Sequence, residues 1–117
     1  MSHRAFALVA LFGVLACGGE QNDAAGLDAA ATRGKLVYGN VCTACHNADP
    51  RKPGALGPEI AGASQELIEA KVLRNEYPPG YTPKRPGATM PKYEYLAPNT
   101  ADLAAYLTSV ASVASEQ

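Results

Sequence analysis

Apolar and small residues recur with helical spacing in three stretches of the chain. Gly34, Tyr38, Val41 and Cys45 fall at successive intervals of four, three and four, which lines them up on one helix face. Thr32 stands where a capping hydroxyl is wanted, so the spacing predicts a helix from there to about residue 42. A second helix is predicted from Ser64 to about Asn75. Leu67, Ile68, Val72 and Leu73 form its apolar stripe, and Glu66 and Glu69 lie toward its positive end. A third begins at Pro98-Asn99-Thr100, with Asp102 in its first turn and Leu103, Tyr106, Leu107 and Val110 on one face. Residues 50–58 and 78–91 are rich in Pro and Gly and read as irregular loops. Strand-like alternation is almost absent. The pattern predicts an all-α domain with three main helices and long loops that wrap a ligand.

The amino terminus has a different character. Arg4 precedes an apolar run from Ala5 to Ala16, the layout of an export signal. The run is too short for a helix to span ~30 Å of hydrocarbon. Val14-Leu15-Ala16-Cys17-Gly18-Gly19 resembles a bacterial lipobox, in which the Cys becomes the lipid-bearing new terminus. The plain alternative is cleavage near Ala16 with an unmodified Cys17, which leaves an odd thiol in an exported protein. Residues 1–16 thus read as a signal peptide and residues 17–31 as a lipidated start and flexible tether reaching at most ~50 Å. The competing reading of the Ala-rich end of that tether is that it lengthens the first helix. Residues 32–117 are the expected domain.

At 117 residues the precursor has room for one small domain. About 80 residues make a core that is marginal by itself. With no Trp and only two Phe, the chain needs another large apolar body to fold around. Ten basic and eleven acidic residues give a formal charge of −1. That balance excludes the basic excess of a nucleic-acid binder and gives no electrostatic clue to a partner.

Cys42-Thr43-Ala44-Cys45-His46 supplies the missing body. C-x-x-C-H reads as a c-type haem attachment site. Two thiols three positions apart reach the two vinyl-derived carbons on one porphyrin edge, and the trailing His offers its imidazole to the iron. A redox disulfide or half of a zinc site would use the same cysteines. A closed zinc site is one ligand short once Cys17 is set aside, and a thioredoxin-like site belongs in a βαβ pattern. One motif implies one haem.

Counting ligands narrows the iron chemistry. His3 leaves with the signal, so His46 is the one imidazole of the mature chain. Met1 is the initiator, so Met90 is its one thioether. Pro91 restricts Met90 to extended backbone, suited to holding the sulfur out from a loop. A lone Met is more often a core filler; the haem motif and the loop context favour a distal ligand here. Lys84, Lys92 and an open sixth position are the competitors.

These blocks together resemble the class I cytochrome c family over residues 32–113. Gly34 and Tyr38 before the haem motif resemble the family's first helix. Leu56-Gly57-Pro58-Glu59-Ile60-Ala61-Gly62 is similar to its Gly-Pro loop. Thr89-Met90-Pro91 is similar to its Met loop, and Leu103-Ala104-Ala105-Tyr106-Leu107 to its last helix. The resemblance implies a small cytochrome c fold with one covalent haem c. Cys42 and Cys45 would be its thioether anchors, His46 its proximal and Met90 its distal ligand. It also implies that the Pro58 carbonyl accepts a hydrogen bond from His46, and that Gly34 lets the last helix cross closely beside Tyr106. Haem attachment outside the cytoplasm, which the family implies, agrees with the export signal.

The expected function is a one-electron carrier, not an enzyme, tethered by the lipid on Cys17 to the periplasmic side of a bacterial membrane; a soluble periplasmic form is the alternative. Its partners would be a redox donor and a redox acceptor, with no nucleic acid. The alternatives are a haem subunit of a larger respiratory or dehydrogenase complex, and a peroxidase or ligand sensor with an open iron.

Overall fold

The computed structural model describes residues 27–87 and 89–114. The export segment, Cys17 and most of the expected tether lie outside the described residues. Helix α1 spans Ala29–Val41, α2 spans Gln65–Ile68 and α3 spans Thr100–Ala114. There is no strand among the described residues. Nor is any helix among them long and apolar enough to cross a membrane.

Helix α1 is capped four residues earlier than the pattern around Thr32 predicts. Asp28 is its cap, and the carboxylate Oδ1 accepts the Ala31 N–H at 2.7 Å. The Thr32 hydroxyl instead donates to the Asp28 carbonyl. Asp caps as well as Thr does, and Ala29-Ala30-Ala31 are the strongest helix formers available, so the earlier start wins. Ala31 is only 1% exposed and packs into the core.

Ser64 caps α2 as expected, accepting the Leu67 N–H at 3.2 Å. The helix then widens into a π-helical turn, Glu69–Leu73. Regular helix to Asn75 was expected; instead Asn75 turns left-handed at φ 56°, and the Glu76 N–H reaches back to the Ala70 carbonyl. Asn tolerates that region better than most residues with a side chain. A 3₁₀ segment, Glu94–Asn99, leads directly into α3.

The molecule is held by the crossing of α1 and α3. A β-carbon on Gly34 would overlap the Asp102 carbonyl and lie 2.9 Å from Tyr106 Cβ, so only Gly permits this approach. Tyr38 and Tyr106 pack there with ring centroids 5.6 Å apart. On the rim, the Arg33 guanidinium grips the Asp102 carboxylate with two hydrogen bonds of 2.7 and 2.8 Å. Ile68, Val72, Leu96, Leu103 and Leu107 complete the core. Full burial of a side chain such as Leu107 stabilises by ~2 kcal/mol. Several of these same side chains stop short of filling the interior and instead wall a cleft.

Candidate cofactor site

The cleft measures about 1030 Å³ counting its open mouth. Tyr38, Ile68, Val72, Leu103 and Leu107 form part of its apolar wall. Cys42, Cys45, His46, Pro58 and Met90, the five domain residues singled out in the sequence, all line it. The sixth, Cys17, lies outside the described residues.

Local backbone geometry presents the two thiols. A 3₁₀ turn, Cys42–Ala44, follows α1 directly, and the N–H groups of Cys45 and His46 both donate to the Cys42 carbonyl, at 3.2 and 2.9 Å. This turn places Cys42 and Cys45 half-buried at the same cleft, and they are not joined to each other. Burial pushes the Cys42 thiol up to about 11. A redox disulfide site works by the opposite shift, toward a reactive thiolate, so Cys42 is poorly suited to that chemistry.

His46 is held by the segment that follows it. Its Nδ1–H donates to the Pro58 carbonyl at 2.8 Å, the contact that the resemblance implies. A carbonyl only accepts, so the proton sits on Nδ1 and Nε2 keeps its lone pair for a metal. The Cys45 carbonyl accepts the N–H groups of Leu56 and Gly57, which folds this loop back against the haem motif. Gly57 is buried against the imidazole, and a β-carbon there would overlap the ring. At the far end of the motif, the Tyr38 hydroxyl donates to the Asn47 carbonyl at 2.5 Å. Burial raises the Tyr38 pKa and keeps that donor protonated. Nothing in the spacing of the sequence announced the Tyr38–Asn47 bond, although a Tyr on the buried face of α1 needs a partner for its hydroxyl.

Residues 77–86 close one side of the cleft. Tyr77 and Tyr81 stack with centroids 5.4 Å apart and planes 9° from parallel, and the Lys71 ammonium lies 4.1 Å from the Tyr77 centroid. Lys84 Nζ donates to the Glu59 carbonyl at 2.9 Å and pairs with its carboxylate at 3.3 Å. Its own backbone N–H, and then Lys84, hold the Glu59 carboxyl below the usual range. Arg85 donates to the Gly54 carbonyl at 3.2 Å. Of the two lysines that compete with Met90 as ligand, Lys84 is thus engaged with Glu59, and Lys92 is exposed and does not line the cleft.

The donor set fits haem c: two thiols on one turn, an imidazole with a free Nε2, a thioether and apolar walls. No curated protein and no solved structure gives a significant match to the chain. The Cytochrome c family profile matches residues 31–111, well over half of it. Proteins of that family bind haem c covalently and carry electrons, and Cys42, Cys45 and His46 satisfy its attachment motif. The chain belongs to the cytochrome c family and is a haem-binding electron carrier of the class I type.

Proposed function

We propose that this chain is a membrane-tethered, one-electron carrier of the periplasm, its haem iron held between His46 and Met90. Cys42 and Cys45 anchor the macrocycle as thioethers. His46 offers Nε2 to the metal, and the Pro58 carbonyl fixes the ring's tautomer and strengthens it as a donor. Met90 offers sulfur from the loop that lines the same cleft. When bound, haem c supplies an iron that gains and loses one electron, and His/Met ligation raises its potential. With His46 and Met90 as its two protein ligands, the bound iron would have no place for a reactant. Ile68, Val72, Leu103 and Leu107 keep water from the buried side of the cleft.

Convergence of Cys42, Cys45, His46 and Met90 on one apolar cleft carries this reading. The tether rests on the lipobox-like segment around Cys17 and on the short polar stretch that follows. A redox titration and oxidised absorption spectrum of the purified protein, beside Met90→Ala, test the ligation. The substitution should abolish the weak red sulfur-to-iron band and lower the potential; an unchanged band and potential would refute Met90 as ligand. Mass spectrometry of the mature amino terminus should find a diacylglyceryl group on Cys17, and a free thiol there would refute the anchor.

A further inference from the structure

The structure ties the segment that follows Met90 to one unusual turn. Residues 90–100 run from the thioether to the start of α3. Among the described residues, two polar contacts tie this segment to the π-helical turn Glu69–Leu73. The Tyr93 N–H donates to the Val72 carbonyl at 2.7 Å. The Thr100 hydroxyl, on a residue only 3% exposed, donates to Glu69 Oε1 at 3.1 Å.

The π geometry makes the first contact possible. In a continuing α-helix the Val72 carbonyl would accept the N–H of Glu76. Here the Glu76 N–H goes to Ala70, six residues back, and the donor that reaches Val72 is Tyr93. Glu69 opens the turn and Val72 stands near its end, so the two contacts hold the segment at both ends of the turn. The Val72 side chain lines the cleft, so the group that receives the Met90 loop is part of the cofactor's wall. Between the two contacts, Leu96 anchors the segment in the core at 5% exposure.

We infer that the π-helical turn is the clamp that sets the reach of the Met90 sulfur, with Glu69 and Thr100 as positioning residues for the distal ligand. The inference rests on Met90 being that ligand. Shortening the turn to α geometry would rotate the Val72 carbonyl away from Tyr93 and loosen the loop. Losing the Thr100–Glu69 bond would loosen its other end. Neither residue lines the cleft, so an effect on the iron must travel through the loop.

The test is competition at the sixth position in the intact ferric haem protein. Imidazole added to solution displaces a loosely held thioether more readily than a firmly held one. A hydrogen bond to a charged acceptor is worth about tenfold in such an equilibrium. Thr100→Val and Glu69→Ala should each tighten apparent imidazole binding by about tenfold, and the double variant by no more than either alone. Thr100→Ser, which keeps the hydroxyl, should restore the original value. Met90→Ala in parallel checks the underlying assignment: if it leaves the sulfur band intact, the ligand assignment fails and takes the clamp with it. If Met90→Ala removes the band while Thr100→Val and Glu69→Ala lower the denaturation midpoint without moving imidazole affinity, Met90 stands and the clamp is overturned.

Discussion

The two sides of the cleft are built on opposite principles. On the His46 side the chain holds its ligand from nearby: the 3₁₀ turn Cys42–Ala44, the folded-back Gly54–Gly57 loop and the Pro58 carbonyl all lie within a dozen residues of the imidazole. On the Met90 side the supports come from far along the chain, from Val72 through Tyr93 and from Glu69 through Thr100. Short loops close at small entropic cost and are hard to open alone. Supports that depend on packing between distant segments are lost whenever the packing loosens. The difference teaches that one proposed ligand is a fixture of the backbone while the other depends on the state of the core.

Substitutions at matched depth should expose this asymmetry. Leu96→Ala should have the largest effect, costing about 3 kcal/mol through the cavity it leaves under the Met90 loop. In a denaturant titration the sulfur-to-iron band should disappear before the far-ultraviolet helical signal; coincident transitions would mean that both sides melt as one unit. Gly57→Ala should cost about 2 kcal/mol by crowding the imidazole. It should also disturb ligation on the His46 side with the helices intact, seen as a shifted Soret band. Tyr38→Phe removes the hydroxyl that holds the Asn47 carbonyl and should cost about 1 kcal/mol while leaving the sulfur band unchanged.

The smallest effect is expected at the Arg33–Asp102 pair on the rim of the helix crossing. Its hydrogen bonds from Arg33 hold the Asp102 carboxyl below its ordinary range. A depressed carboxylate stabilises the fold above the unfolded value near pH ~4, and that contribution is lost as the pH falls through the folded value. Arg33→Ala should therefore flatten the acid end of the stability curve and change stability at neutral pH less than Tyr38→Phe does. An unchanged acid limb would show that the pair does not contribute to acid stability.

The parts legible in the sequence were those governed by local rules. The haem motif, the Ser64 cap and the stripe of Leu103, Tyr106 and Leu107 all depend on spacing within a few residues, and all appear as expected. Thr32 is the visible capping residue in the pattern, but Asp28 with the Ala run behind it makes the stronger start and takes the cap. The π turn left no trace in the pattern because Ile68 just before it and Val72 within it keep helical spacing. The bonds from Tyr93 to Val72, from Lys84 to Glu59 and from Arg85 to Gly54 join segments whose proximity exists only after folding.

The crossing of the first and last helices has a consequence for biosynthesis. Arg33 and Asp102 stand 69 positions apart, and the floor on which Gly34 and Tyr38 rest is made by a helix synthesised well after them. An unfinished polypeptide therefore lacks the surface that would let its early half close. Until α3 has been added, the two cysteines of the attachment motif stand on a segment that still lacks its tertiary partner.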